Sequence, residues 1–300
     1  MSLVNLEPFR ELYPFRSHFL RLGKYNYHYL DEGSGECVVM LHGNPTWSFY
    51  YRHLVSGLAD SYRIIVPDHM GCGLSDKPQK YPYTLGQHID NLEALLETLN
   101  LKNITLAMHD WGGAIGMGYA VRHPDKIRRL IIFNTAAFLS SRMPWQIGLC
   151  RIPIFGRVAI RRFNAFAGLA IYLACRHRER MTPQVRAGYL APYRSYENRV
   201  AHLCFVQDIP MRPKDKSYPI LEAIQKRLPE FRHRPVLILW GGQDFCFNYS
   251  FLKTWQELFP EARVQVFEDA GHYVVEDAHE RIVPLVREFL NNNPLNNNPT

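Results

Sequence analysis

Asn103-Ile-Thr-Leu-Ala-Met-His-Asp-Trp-Gly-Gly113 decides the reading of this 300-residue chain. Residues 104–108 are a short apolar run with β-branched members, the pattern of a buried strand. Gly112 and Gly113 follow at once, and residues 114–120, Ala-Ile-Gly-Met-Gly-Tyr-Ala, are small and apolar, as in a tightly packed helix. Strand, sharp turn and helix form the setting in which a nucleophile is held at the corner of an elbow. Such elbows usually carry serine between small residues. Here Asp110 stands at the apex, with Met108 in the first flanking place and Gly112 in the second. A carboxylate facing a helix N-terminus is expected to stay ionised, because N–H groups and the helix dipole favour the anion. In a dry pocket such an anion can attack carbon directly. The plainer alternative is that Asp110 only caps the helix.

On either side of this stretch, strands alternate with helices. Residues 25–30 alternate in polarity before a turn at 31–36, and 37–41 form a continuous apolar run ending in His42-Gly-Asn-Pro-Thr46. Residues 47–58 have helical spacing, 63–68 read as a strand, and 84–99 as an amphipathic helix capped by Thr84. Residues 129–133 are another buried strand. From about 139 to about 231 helical patterns, aromatics and arginines continue without a central-strand signal. Strands resume at 235–240 and 263–267, and a last helix is expected at 281–290. This pattern implies a mostly parallel sheet covered by helices on both faces. Residues 1–138 and 232–290 make its main domain, 139–231 an inserted helical cap, and 291–300 a low-complexity tail expected to be disordered. Residues 1–20 read as an extended arm.

Composition narrows the function classes. A hydrophobic content of 47% supports a large core, and a net charge of +7 without a dense basic stripe argues against nucleic-acid binding. The six cysteines, at 37, 72, 150, 175, 204 and 246, show no metal-ligand or CxxC spacing, so free thiols in a reducing cytoplasm are expected. No signal peptide is apparent, and no apolar run reaches the roughly 18 residues of a membrane span.

Ligands in an open parallel sheet sit at the carboxyl ends of the strands. Collected there are Asp110, then Asp244 in Gly241-Gly-Gln-Asp244, then His272 in Glu268-Asp-Ala-Gly-His272. Nucleophile, acid and base in this order are arranged as in α/β-hydrolases. His272 would take a proton from water, and Asp244 would orient it and stabilise its cation. The end of the preceding strand, Phe133-Asn-Thr-Ala-Ala137, offers no carboxylate, which leaves Asp244 as the better acid. Asp68 reads as shaping a loop, and Asp269 and Asp277 as solvated or capping.

From about residue 13 to 290 the chain closely resembles the haloalkane dehalogenase family of α/β-hydrolases. The motifs that carry the resemblance are His42-Gly-Asn-Pro-Thr46, His109-Asp-Trp-Gly-Gly113, Trp240-Gly-Gly-Gln-Asp244 and Gly271-His272. It implies a mostly parallel eight-stranded sheet with an inserted helical cap, and no metal or organic cofactor. It also implies that the Asn44 amide and Trp111 indole donate to a departing halide, uncharged donors that do not trap the anion. The backbone N–H groups of Trp111 and Asn44 would form an oxyanion hole. The acid after the seventh strand, with Asn44 and Trp111, points to the third subfamily, whose members include β-lactone decarboxylases of bacterial olefin biosynthesis. Asn134-Thr-Ala-Ala-Phe138, Met143-Pro-Trp145, Phe163-Asn-Ala-Phe166, Ala191-Pro-Tyr193 and Gln207-Asp-Ile-Pro210 resemble that branch.

The first expectation is therefore haloalkane dehalogenation through an alkyl ester of Asp110, with β-lactone decarboxylation as the alternative. An epoxide hydrolase would share the Asp-Trp-Gly-Gly elbow and use two cap tyrosines, for which Tyr172, Tyr189, Tyr193 and Tyr196 are available. Asn44 argues against it, since an aromatic usually stands there. A non-catalytic interaction protein would be expected to have lost a triad member. The expected partner is a small apolar substrate, a haloalkane or dialkyl β-lactone. The apolar stretch 163–175, flanked by Arg161, Arg162, Arg176 and Arg178, reads as the wall of a substrate channel. Membrane-surface association and homo-oligomerisation remain open for it.

Overall fold

The computed structural model describes residues 4–295. Eight strands form one sheet: β1 (Ser17–Leu22), β2 (Tyr25–Glu32), β3 (Cys37–Leu41), β4 (Arg63–Pro67), β5 (Ile104–Asp110), β6 (Ile127–Thr135), β7 (Val236–Gly241) and β8 (Arg263–Phe267). Their order is β1-β2-β4-β3-β5-β6-β7-β8. The pairs β1–β2 and β2–β4 are antiparallel, and every later pair is parallel.

The apolar runs make sense because alternate side chains feed two separate cores. Val39 and Leu41, Leu106 and Met108, and Ile238 and Trp240 pack on one face of the sheet. Val38 and Met40, Ala107, and Leu237 and Leu239 pack on the other. Winding reverses between β3 and β5: β4 lies to one side of β3, and β5 returns on the other. This opens a crevice at the carboxyl ends of β3 and β5, where Asn44 and Asp110 follow their strands.

Between β6 and β7 the chain is helical, with helices at Trp145–Cys150, Pro153–Gly156, Ala165–Leu173, Pro183–Leu190, Val200–Asp208 and Tyr218–Arg227. Most of these lie over the crevice. The last packs against the helix Trp111–Arg122, with Leu221 and Ile224 in the same core cluster that Val200, Ala201 and Phe205 of the preceding helix join. Two expectations at the ends of the chain are corrected. The extended arm contains a 3-10 turn, Glu7–Leu12, and the edge strand β1. The last helix spans Val274–Asn292, starting earlier than its periodicity suggests, with a non-helical Ala278 that sets off its first turn. It runs into the segment expected to be disordered, and the Leu295 N–H donates to Glu36 Oε1 at 2.8 Å. The rest of that tail lies outside the described residues. No helix among the described residues is long and apolar enough to cross a membrane.

Candidate active site

Asp110 ends β5 with φ 50° and ψ −124°, and the helix Trp111–Arg122 begins immediately after it. Only close approach of the neighbouring backbone permits this corner. A Cβ on Gly43 would fall on the Asp110 carboxylate, and one on Gly113 would fall on Thr135. The Thr135 hydroxyl, at the end of β6, donates to the Asp110 carbonyl. Met108 is accommodated in the flanking place because Gly116 faces it without a side chain. The Asp110 side chain makes no cap hydrogen bond to the second or third residue of its own helix and is pulled only by the adjoining Trp111 N–H, so it does not act as an ordinary helix cap.

The three residues collected from strand ends come together. His272 Nδ1–H donates to Asp244 Oδ2 at 2.8 Å, and His272 Nε2 faces Asp110 Oδ2 at 3.8 Å. Asp244 is itself held, its Oδ1 accepting the Cys246 N–H at 2.6 Å. His109 Nε2–H donates to the His272 carbonyl at 2.8 Å and fixes the loop that carries the imidazole. Phe247 stacks on the His272 ring at 5.8 Å.

Burial raises the Asp110 carboxyl above its ordinary value, although the His272 charge and backbone hydrogen bonds from Asn44 and Trp111 pull the other way. The N–H groups expected from the sequence to keep Asp110 ionised do act on it, but desolvation outweighs them. Burial disfavours the His272 cation too, but the charge and hydrogen bond of Asp244, reinforced by Asp110, outweigh it and hold the imidazole above its ordinary value. The site therefore sets a basic imidazole between the Asp244 and Asp110 side chains.

Asn44 and Trp111 both border Asp110. The Asn44 N–H donates to Asp110 Oδ1 at 2.7 Å. Its side-chain amide donates one hydrogen to the His202 carbonyl at 3.2 Å, leaving the other for a ligand. The Trp111 indole packs against Phe205 at 5.1 Å and makes no hydrogen bond among the described residues.

Above these groups lies a cavity of about 390 Å³. Its polar floor comprises Asn44, Asp110, Trp111 and His272, and its walls are largely apolar, including Phe138, Phe166, Leu169 and Val206. Its size and lining suit an apolar molecule larger than a haloethane. None of Tyr172, Tyr189, Tyr193 and Tyr196 lines it. Tyr189 donates instead to Glu276 at 2.8 Å, and Tyr193 accepts the Gly73 N–H at 2.9 Å. The tyrosine pair needed for epoxide opening is thus committed elsewhere. Two groups that the sequence did not single out also reach the cavity, Tyr273 and Cys246, each next to or near a triad residue in sequence. No group of acidic, histidine and cysteine side chains among the described residues could hold a metal ion.

The remaining carboxylates divide. Asp68 is fully buried and accepts the Ser48 and Leu74 N–H groups, each at 2.7 Å, which fits its loop-shaping role. Asp269 is half exposed and pairs with Arg281. Asp277 is neither solvated nor capping. It is fully buried and accepts N–H groups from Gly271, Arg176 and His177.

A model of the alpha/beta hydrolase fold family matches residues 36–278. The chain is 50% identical to a cis-3-alkyl-4-alkyloxetan-2-one decarboxylase of Shewanella oneidensis, over 93% of this chain and 89% of that protein. It is 49% identical to the decarboxylase of the same name from Xanthomonas campestris pv. campestris, over 89% and 93%. In three dimensions it superposes on the haloalkane dehalogenase DbeA of Bradyrhizobium elkani with a TM-score of 0.85, covering 93% of this chain and 98% of that one, at 24% identity. With haloalkane dehalogenase 2 of Mycobacterium tuberculosis it is 29% identical, over 95% of this chain and 98% of that protein. The chain belongs to the α/β-hydrolase family, with the oxetanone decarboxylases as close relatives and haloalkane dehalogenases as more distant ones.

Proposed function

We propose that this chain is a β-lactone decarboxylase, converting a cis-3,4-dialkyl oxetan-2-one to a cis-alkene and carbon dioxide. The reading thus moves from the first expectation to its alternative. The observation that carries it is the near-full-length identity of 50% and 49% with two decarboxylases, against 29% over 95% of this chain for a haloalkane dehalogenase. The cavity supports it, since two alkyl chains need apolar walls above a small polar floor.

Asp110 attacks the ring carbon beside the ring oxygen, from the face opposite that oxygen. The carbon–oxygen bond breaks and its electrons leave as a carboxylate, relieving ring strain. Asp110 is now an alkyl ester whose neighbouring carbon carries the new carboxylate. The bond to that carboxylate then breaks, its electron pair forms the double bond, and the ester oxygen departs to restore Asp110. Carbon dioxide and alkene account for every atom of the lactone, and no water is consumed. Inversion followed by anti elimination turns a cis lactone into a cis alkene. His272, supported by Asp244, balances the negative charge shared by Asp110 and the leaving carboxylate. The free Asn44 amide hydrogen and the Trp111 indole donate to that leaving group.

Dehalogenation is the second reading, favoured by the unpartnered Trp111 indole beside Asp110. There the halide leaves, and His272 activates water to hydrolyse the ester. Purified protein given a cis-dialkyl β-lactone should yield cis-alkene and carbon dioxide in equal amounts, without β-hydroxy acid. Bromide release from a bromoalkane, with the lactone untouched, would replace the decarboxylase reading with the dehalogenase one.

A further inference from the structure

Residues 139–178 present a surface unlike a solvated one. Trp145 is 71% exposed, Ile154 81% and Phe163 72%, with Ile152, Phe155 and Val158 about half exposed beside them. Large monomer-surface patches of this kind mark a contact. Trp145, Leu149, Phe155, Leu169 and Leu173 are exposed and also line the cavity, so the cavity opens through this apolar face. The same segment contains seven arginines and no lysine or carboxylate. Arg142, Arg157, Arg162, Arg176 and Arg178 are exposed and form no ion pair among the described residues. The exception near them is Arg151, which lies 3.4 Å from Asp215.

Exposed aromatic and aliphatic side chains edged by unpaired guanidinium groups match the headgroup and acyl boundary of an anionic bilayer. A second copy of the chain fits less well. A twofold interface would set arginine-rich segments against each other with no carboxylate in either segment to pair them. We propose that the 139–178 face docks on an anionic phospholipid surface with the cavity mouth against the lipid. Docking rests on the surface itself. Its consequence rests on the decarboxylase reading: dialkyl lactone enters, and alkene leaves, through the acyl region without crossing water.

The test is co-sedimentation of the full chain with vesicles of phosphatidylcholine and phosphatidylglycerol, in a ratio of roughly three to one, compared with phosphatidylcholine alone. Trp145 emission is followed at the same time with brominated acyl chains, as the part of the quenching that Trp145→Phe removes, because Trp47, Trp240 and Trp255 are fully buried while Trp111 is only partly buried on the cavity floor. Binding to the anionic vesicles should be at least about tenfold tighter and fall with salt. Arg157→Glu and Arg162→Glu should each weaken it by roughly fivefold or more. Acyl-chain bromine should quench Trp145, and Ile154→Asp with Phe163→Asp should abolish the quenching. These four residues do not line the cavity. Lactone turnover in detergent should therefore persist in the variants, and unchanged thermal midpoints should verify folding.

Equal affinity for both vesicle types, or none for either, would overturn the docking. So would a vesicle-free oligomer that Ile154→Asp dissociates, which would assign the face to a second copy. Loss of lactone turnover in detergent by the wild type is a separate result, which counts against the decarboxylase reading and leaves vesicle binding to be judged by itself.

Discussion

Asp110 shows how one residue acquires its chemistry from its surroundings. Its left-handed φ of 50° costs roughly 1–3 kcal/mol in a non-glycine residue and persists only where neighbours fix it. They do so through the absent Cβ of Gly43, the Asn44 N–H and the Thr135 hydroxyl. Burial raises the carboxyl above its ordinary value, and the His272 charge pulls it back. The raised imidazole depends in turn on Asp244. Asp244→Asn should let burial prevail, so that His272 titrates below its present value. The titration would be followed by the imidazole proton resonances and by the alkaline limb of the pH–rate profile. Both should move to lower pH, with turnover falling by roughly two orders of magnitude or more. An unmoved titration in a folded variant would mean that another group holds the imidazole cation.

At the scale of elements, the first turn of the helix Val274–Asn292 ties the histidine loop to the covering helices. Glu276 takes a bidentate pair from Arg52 at 2.6 and 2.7 Å, while Asp277 gathers Gly271 from the loop and Arg176 and His177 from the lid. Asp277→Ala would strand these buried donors, together with the Cys175 thiol. It should cost about 3 kcal/mol in urea unfolding, and His272 should lose its alignment so that turnover falls as well. A loss below about 0.5 kcal/mol would show that the clamp contributes little.

This clamp was not legible in the sequence, where Asp277 looks like one more acidic residue near a helix start. Asp110 and Asp244 were legible because each follows a buried strand whose apolar run marks its end, whereas His272 follows the half-exposed edge strand β8 and was marked by its Gly271-His272 pair. β1 was not, since a half-exposed antiparallel edge strand has no such run. Nor does helical periodicity reveal that the helix Tyr218–Arg227 packs against the helix Trp111–Arg122, because its apolar stripe is the same whichever surface it meets.

Over the whole molecule, the buried histidines link stability to acid. His42, His69, His88 and His202 are all fully buried, and burial lowers each below its ordinary value, His88 and His202 to about 3. A depressed histidine favours the neutral form in the folded state. Its contribution is therefore present above the ordinary value of about 6.5 and is lost as pH falls from there towards the depressed one. Each proton taken up on unfolding steepens the loss by about 1.4 kcal/mol per pH unit. Urea midpoints measured between pH 7 and 4 should fall, and His88→Leu should flatten the slope by about one proton. An unchanged slope in that variant would show that His88 is protonated in the folded state. The same molecule places two apolar cores around the sheet, a polar floor at the crevice between β3 and β5, and an apolar cavity opening through the arginine-rich lid.

The central claim, that Asp110 opens the lactone, is tested most directly by rapid acid quenching of wild-type enzyme during turnover, followed by digestion and mass spectrometry. The peptide carrying His109-Asp-Trp-Gly-Gly113 should gain the mass of one intact lactone, and Asp110→Asn should give neither the adduct nor any alkene. Alkene formed by Asp110→Asn at a rate near that of the wild type, with no adduct on this peptide, would contradict the account.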